Sequence, residues 1–271
     1  MTSLALWDSA PAHLSYAGMT HPGQAQPFAV ERHPPAQCAE LLHQAMVDVA
    51  LLPSFAVCME PEDYDVLAAG ALSAWCYPMA QLVLHQGWTA PVRQVVYDPA
   101  YPQERWVAQV ILQEHYGMKP SFIPLPEATP IDLLHAEADG CVLVTPSPPP
   151  LDAPALTLDL GQEWYEMAQY PLVLGLFVTR RDEGRPDMVE ALVEVTEVAE
   201  ALRPSWLAEA EIPAVMRPFY KDHLRLRLDD LVIASLTEQR QLMFYEGLLD
   251  NIDDLRLTTI PNPDNEPDDL G

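Results

Sequence analysis

The sequence is poor in basic residues: 14 Lys and Arg stand against 40 Asp and Glu, so the formal net charge is −26. A field of that sign repels phosphate backbones and anionic lipid surfaces, and we therefore expect neither a nucleic-acid nor a membrane partner. Cysteine is scarce too, with four residues at least eighteen positions apart. Zinc and redox sites use closely spaced cysteines, so this spacing predicts reduced thiols and no metal site.

Long apolar runs are also missing. Asp8 interrupts the run from Leu4 to Trp7, so the N-terminus does not resemble a signal peptide. The apolar stretch 170–178 has about half the length that spans a bilayer. These features predict a cytoplasmic protein.

The chain has the length and composition of a globular α/β protein. Its 271 residues are 49% hydrophobic, which is enough for a large core in one domain or two small ones. Short apolar runs alternate with helical patterns, as is typical of an α/β fold with largely parallel strands. The predicted strands are 3–7, 28–31, 47–52, 92–97, one near Phe122, 141–145 and 171–178, and an apolar run at 65–84 is broken at Tyr77-Pro78.

Helices are predicted between these strands and at the end of the chain. Helical patterns cover 34–46, 103–116, 131–136 and 159–167, and everything from 187 to 250 is expected to be helical. Five prolines between Pro146 and Pro154 predict an extended loop. The acidic, proline-rich tail 251–271 is expected to be an extended or disordered arm.

Polar residues that directly follow apolar strands are the best candidates for a site. Open α/β sheets bind ligands at the carboxyl ends of their strands, which selects Asp8-Ser9, Ser54 and the segment 98–103. Asp8 and Ser54 could instead be helix N-caps, and the two roles can coexist because both use the free amides of a helix start.

No self-contained catalytic motif supplements these candidates. The sequence has no phosphate-binding glycine loop, no GxSxG and no HExxH. Its eight histidines have no metal-ligand spacing and are interpreted as surface or helix residues. Trp75, Trp88 and Trp164 either line a cleft or pack in the core, and packing is the commoner role.

Five segments, in this order and spacing, resemble the chorismate dehydratase family of the futalosine route to menaquinone. They are Asp8-Ser9-Ala10-Pro11, the run 47–54 (VDVALLPS), the run 92–99 (VRQVVYDP), the run 158–164 (LDLGQEW) and the closing segment 220–249. The similarity extends over nearly the whole chain.

The resemblance implies a type 2 periplasmic-binding-protein fold, with two α/β lobes, a two-strand hinge and a cleft that closes on its ligand. A second lobe inserted at 91–169 is expected, with the large lobe and C-terminal helices formed by 1–90 and 170–250. The reaction implied is loss of water from chorismate to give 3-[(1-carboxyvinyl)oxy]benzoate. No metal or organic cofactor is implied.

The resemblance also suggests roles for particular residues. Asp8 would lie beside the reacting carbon or the leaving hydroxyl, as base or positioning group, and Ser73 would assist it as a hydrogen-bond donor. The residues expected to bind substrate are Ser9 and Ser54 from the first lobe, Tyr101 and Gln103 from the second, and the cations Arg93 and Arg105. The two arginines could equally be surface residues that pair with the many acids.

The sequence departs from the family pattern at several of these positions. Tyr101-Pro102-Gln103-Glu104 replaces a Ser-x-Thr-Ser run, Asp8 stands where the family has Asn, Thr145-Pro146 replaces Gly-Asp, and the segment 168–172 replaces Thr-Gly-Leu-Pro-Phe. Two other functions therefore stay open: a non-catalytic two-lobed binding protein for a small aromatic or anionic metabolite, and a related enzyme of the same pathway with another substrate.

Overall fold

The computed structural model describes residues 1–23, 26–147, 151 and 155–260. These residues form twelve strands: β1 (Thr2–Trp7), β2 (Phe28–His33), β3 (Val49–Pro53), β4 (Tyr64–Ala74), β5 (Ala80–Leu84), β6 (Gln94–Tyr97), β7 (Ser121–Pro124), β8 (Gly140–Val144), β9 (Leu156–Asp159), β10 (Leu172–Arg180), β11 (Leu224–Arg227) and β12 (Leu257–Thr258). They also form eight α-helices: α1 (His13–Met19), α2 (Pro35–His43), α3 (Ser54–Met59), α4 (Pro102–Val110), α5 (Pro130–Leu134), α6 (Leu160–Ala168), α7 (Pro186–Glu209) and α8 (Asp230–Tyr245).

The strands form two separate sheets. The first has the order β11-β4-β10-β3-β1-β2, with β12 beside β4, and the second has the order β7-β6-β8-β5-β9. β1 pairs in parallel with β2 and β3, whereas β10 runs antiparallel to β3 and β4. The second sheet likewise joins parallel pairs around β6 to antiparallel pairs around β5. The prediction of a largely parallel fold is therefore wrong in detail, because β10 and β11 in the first sheet and β5 in the second run opposite to their neighbours.

Within the described ranges, the chain passes between the sheets twice. It leaves the first sheet at the end of β4 and enters the second at β5, and it returns from β9 through α6 to β10. β5 thus belongs to the second sheet, although the sequence predicts that the second lobe begins only at residue 91. The lobe boundaries stay a prediction; the break at Tyr77-Pro78 marks the first passage between the sheets.

Three local predictions are corrected. The helix predicted at 103–116 is α4 followed by a π-helical segment, Ile111–His115. The strand β9, which pairs with β5, was not predicted. The stretch 187–250 is not entirely helical, because β11 alternates buried and exposed residues and pairs with β4.

The predicted arm at 251–271 lies only partly within the described residues. Its described part, 251–260, includes β12, which pairs in parallel with β4 at Leu257–Val66 and Thr258–Leu67. Residues 261–271 lie outside the described part, as do 148–150 and 152–154 of the predicted proline loop. The beginning of the tail therefore extends the first sheet.

Apolar side chains from both sheets form the core. The central strands β3 and β10 are buried along almost their whole length, as expected for strands covered on both faces. One large cluster includes Trp106 and Trp164 of the second lobe together with Leu51 and Phe177 of the first, and a smaller cluster around Leu143 fills the far side of the second sheet. The two sheets are thus joined by continuous packing on one side, and this packing fixes the walls of the cavity described next.

Candidate functional site

A cavity of about 590 Å³ lies between the two sheets. Its lining comes from the carboxyl end of β1, the start of α4, the end of β8 and the segments between the sheets and after α7: Trp7, Asp8, Ser9, Ala10, His13, Pro34, Pro35, Pro53, Tyr77, Met79, Ala100, Tyr101, Pro102, Gln103, Glu104, Val144, Pro146, Leu174, Glu211, Ile212, Pro213, Met216 and Tyr220. The volume is within the range of small-molecule sites, ~300–1,000 Å³. The segments that follow β1 and β6, which the strand-end rule selects, both contribute to this lining.

Asp8 presents its carboxylate at the end of β1. Its backbone oxygen accepts hydrogen bonds from Arg32 Nη2 at 2.6 Å and from His13 Nε2 at 3.2 Å, and its N–H donates to His33 O at 2.9 Å. Within the described residues, no hydrogen bond uses the Asp8 carboxylate. The main chain is therefore fixed while the carboxylate stays available to a ligand.

The helix N-cap alternative does not apply to Asp8 or Ser54. The short 3₁₀ helix after Asp8 begins without a side-chain cap, and Ser54 is the first residue of α3 rather than its cap. Ser54 is buried, and its hydroxyl lies 2.7 Å from Val173 O, 3.2 Å from Gln103 Oε1 and 3.1 Å from Gln239 Oε1. Ser54 thus lies behind the cavity wall and supports it.

Gln103 lines the cavity but uses its amide to join the two lobes. Its Oε1 accepts from Phe55 N at 3.0 Å, and its Nε2 donates to Leu174 O of β10 at 3.0 Å. Only 5% of the residue is exposed, so both polar atoms are satisfied by protein rather than by water. Gln103 therefore positions the start of α4 against the first sheet.

Tyr101 and Glu104 face the cavity from either side of the α4 start. Tyr101 precedes the helix and makes no capping bond, and Glu104 lies in the first helical turn. Burial raises the pKa of the Glu104 carboxyl to about 7, although its own backbone amide lowers it somewhat. Burial, with the nearby Glu104, also raises the pKa of the Tyr101 hydroxyl. Glu104 is therefore a weak acid that can carry its proton near neutral pH.

Four predicted site residues lie outside the cavity lining. Ser73 is fully buried in β4, and its hydroxyl has no hydrogen-bond partner among the described residues. Arg93 is exposed directly before β6, and its backbone N–H donates to Asp139 Oδ2 at 2.7 Å. Arg105 lies over the rings of Phe122 and Tyr97, at 5.1 and 5.8 Å from their centroids. Since Ser54 is also behind the wall, none of the four is placed to touch a ligand in this cavity.

Several lining residues were not predicted. Trp7 fits over Gly175 of β10, where a Cβ would lie only 2.6 Å from the indole. Tyr77 is held by its N–H, which donates to Asp159 Oδ1 at 2.7 Å, and a Cβ on Gly161 would lie 2.6 Å from the same nitrogen. Asp159 and Gly161, in the run 158–164 that carries the family resemblance, therefore position a cavity residue. The break at Tyr77-Pro78 was the one sequence signal for this wall.

The tryptophans singled out by the sequence do not line the cavity. Trp164 is fully buried against Trp106, Trp88 is 48% exposed, and Trp75 packs edge-to-face with Tyr165. Packing is therefore their role in this structure.

Two side-chain groups outside the cavity have metal-ligand atoms within 4.8 Å of one another, His43 with Glu60 and Asp63, and His115 with Glu163 and Glu166. The Tyr64 hydroxyl is hydrogen-bonded to both His43 and Glu60. The Tyr116 hydroxyl donates to Glu163 Oε2 at 2.6 Å. These contacts explain both clusters without an ion. All four cysteines are free thiols, as predicted.

Nearly the whole chain, including the residues of this cavity, matches the model of a known protein family. Residues 2–242 match the family model described as menaquinone biosynthesis. The chain belongs to that family. Its role therefore lies in menaquinone biosynthesis, and the predicted family resemblance is confirmed. A search of curated proteins found no match.

Solved structures show that this menaquinone biosynthesis protein has the periplasmic-binding-protein fold. Protein AF1704 from Archaeoglobus fulgidus has a TM-score of 0.66 at 19% identity, covering 92% of this chain and 98% of its own. The aliphatic sulphonate binding protein SsuA from Escherichia coli has a TM-score of 0.61 at 11% identity, covering 94% and 95%. The alkanesulfonate-binding protein SsuA from Xanthomonas axonopodis, bound to MOPS, has a TM-score of 0.58 at 11% identity, covering 95% and 98%. The predicted two-lobed fold is thereby confirmed.

Among the described residues, every helix is too short or too polar to cross a bilayer.

Proposed function

We propose that the protein is a chorismate dehydratase, a hydro-lyase that converts chorismate to 3-[(1-carboxyvinyl)oxy]benzoate and water. The observation that carries this proposal is the cavity between the sheets, with the unengaged Asp8 carboxylate at its first-lobe wall and Tyr101 and Glu104 at its second-lobe wall. Family membership and the five matching segments support it.

The reaction needs little from the protein beyond orientation and one proton transfer. A ring C–H bond and the bond from the ring to its hydroxyl both break, the proton and the hydroxyl leave together as water, and the remaining electrons complete the aromatic ring. Because no electrons leave the substrate, the elimination needs no redox cofactor. Aromatisation supplies the driving force, so positioning and acid–base assistance are the protein's share.

In this proposal Asp8 lies next to the departing groups. It accepts the ring proton or orients the leaving hydroxyl, and the Ser9 and Tyr101 hydroxyls donate hydrogen bonds to the substrate. Gln103 positions the start of α4, and with it Tyr101, through its hydrogen bonds to the first sheet and to α3. The positive charge of Arg32, next to the Asp8 main chain, favours ligand anions at this end.

A second candidate function is a non-catalytic clamp for a small aromatic or anionic metabolite. The observation that favours it is the Tyr101–Glu104 turn, which offers a carboxylate where the related enzymes have hydroxyl groups. In this case the cavity would bind a ligand without converting it.

Incubation of purified protein with chorismate distinguishes the two functions. The dehydratase releases 3-[(1-carboxyvinyl)oxy]benzoate, which appears as new aromatic proton signals in NMR, at a rate proportional to protein concentration. Chorismate is also incubated without protein, since only conversion above that background counts. Saturable chorismate binding with no aromatic product would reject the enzyme and support the clamp.

A further inference from the structure

The cavity has an unusual charge for a site that receives a carboxylate. Asp8, Glu104 and Glu211 line it, while none of its described lining residues is lysine or arginine. His13 is the one lining residue that could become a cation, and burial lowers its pKa, which favours the neutral ring. A carboxylate ligand therefore enters a site with like charge on its walls.

The three acids differ in their exposure. Asp8 and Glu211 are exposed, so water solvates their charges, whereas Glu104 is only partly exposed at the first turn of α4. Within the described residues, Glu104 makes no hydrogen bond to another side chain. Its carboxyl group is thus the one acid of the described lining that is partly buried and makes no hydrogen bond to another side chain.

Other titratable groups around Glu104 do not supply a compensating positive charge. Six other titratable residues line the cavity, and each comes from a different element or segment. They are Asp8 at the end of β1, His13 of α1, Tyr77 between β4 and β5, Tyr101 before α4, Glu211 after α7 and Tyr220 of the π-helical segment 219–223. Arg105, the next residue along α4, lies over Phe122 and Tyr97 instead. Arg32 does not line the cavity, and its guanidinium donates to the Asp8 backbone oxygen at the opposite side.

We propose that Glu104 binds a carboxylate group of the ligand as a neutral acid, so that the cleft takes up one proton when the ligand binds. The proton comes from solvent, stays on a Glu104 carboxyl oxygen and is shared in an O–H···O bond with the ligand carboxylate; it returns to solvent when the ligand leaves. This inference rests on the proposed function in one respect, namely that the ligand carries a carboxylate.

Thermodynamic linkage between protonation and ligand binding supports proton uptake rather than release. With the Glu104 pKa already raised to about 7 by burial, a ligand anion placed beside the group raises it further, because two adjacent carboxylates cannot both stay ionised at low cost. By reciprocity, protonation of Glu104 must favour anion binding by the same factor. The amide end of α4, which by itself favours an anion, then serves the ligand rather than Glu104.

The experiment is calorimetric titration of the full-length protein with 3-hydroxybenzoate, a stable monocarboxylate. Titrations in buffers of different ionisation enthalpy give the number of protons taken up on binding. For the wild-type protein at slightly alkaline pH we expect uptake approaching one proton, and a Kd that rises about tenfold per pH unit above the Glu104 pKa.

Glu104→Gln has the shape of the protonated residue and keeps a donor, so it should bind without proton uptake and with a Kd that no longer changes with pH. Glu114→Gln, an exposed position beyond α4, is the matched control and should behave like the wild type. Thermal unfolding confirms that both variants are folded. Wild-type binding without proton uptake, equal uptake by Glu104→Gln, or no wild-type binding at any pH would each overturn the inference.

Chorismate turnover, measured separately, keeps the two proposals distinct. Proton-linked binding of 3-hydroxybenzoate without any turnover would reject the dehydratase and leave the role of Glu104 standing. Turnover accompanied by pH-independent binding in both wild type and Glu104→Gln would overturn the role of Glu104 and support the dehydratase.

Discussion

Asp8 is the side chain on which the proposed elimination depends most. Its carboxylate faces the cavity without a hydrogen bond from the described residues, while three contacts fix its main chain. We expect Asp8→Ala to lower kcat at least ~100-fold, the usual contribution of a positioned acid or base, and to leave thermal stability unchanged. Asp254→Asn, an exposed acid away from the cavity, is the control. Unchanged kinetics in Asp8→Ala would remove this residue from the mechanism.

Asp8→Asn then separates the two possible roles of Asp8. An amide can orient the leaving hydroxyl but cannot accept the ring proton. Retained turnover in Asp8→Asn would show positioning, with the substrate's own carboxylate as the base, whereas loss of turnover equal to that of Asp8→Ala would show that Asp8 is the base. The ratio of the two kcat values is the measurement.

The raised pKa of Glu104 also predicts how the free energy of unfolding changes with pH. Its pKa in the folded protein, about 7, is above its unfolded value, so the folded state binds more protons between the two values. The free energy of unfolding therefore falls as pH rises through this interval, from about 4.5 to about 7. We expect Glu104→Gln to be more stable than wild type by about 1–3 kcal/mol above pH 7 and nearly equal to it near pH 4. Denaturant unfolding at both pH values measures this, and a pH-independent difference would contradict the assignment.

At the residue scale, the sequence predicted the part of the site that follows from local rules. Asp8, Ser9 and Tyr101 follow strands, so the rule that ligands bind at strand ends found them. Tyr77, Glu211 and Met216 reach the cavity only because segments distant in sequence pack there, and Ser73 and Arg105 are directed elsewhere by neighbours that no local pattern reveals.

The helix α4 is the element that carries the second-lobe wall, and Gln103 fixes it to the first sheet. Gln103→Ala removes bonds to Phe55 N, Ser54 and Leu174 O and leaves buried polar groups without partners. We expect a loss of about 2–4 kcal/mol in unfolding free energy, together with a raised KM. Gln109→Ala on the same helix loses one 3.3 Å bond to Glu246 and should cost under ~1 kcal/mol. Equal losses in the two variants would show that Gln103 is not a specific link.

Elements with strong apolar patterns were predicted well, and those with weak patterns were missed. β3 and β10 are continuous apolar runs buried on both faces, and the sequence predicted both within two residues at each end. β9 and β11 have four residues each and become strands through pairing with β5 and β4, which is a tertiary effect. The antiparallel direction of β10 has the same origin, because strand direction depends on how the chain returns between the lobes.

The whole molecule carries a charge that opposes its proposed substrate. With a net charge of −26, the protein's field slows the approach of a dianion. We expect the association rate for chorismate to increase severalfold between low and physiological ionic strength, where the screening length is about 8 Å. Stopped-flow tryptophan fluorescence, to which the cavity residue Trp7 contributes, would measure it. A rate that falls with added salt would show that a local positive field, such as that of Arg32, outweighs the total charge.

At the same scale, the central claim is that a carboxylate-bearing ring binds between the two sheets, bounded by the end of β1 and the start of α4. A crystal structure of the protein soaked with 3-hydroxybenzoate tests this most directly. We predict density for the ring in this cavity, with its carboxylate at the first turn of α4 near Glu104 and its hydroxyl toward Asp8. Ligand density at another surface, or a cavity closed by side chains under the same conditions, would contradict the account.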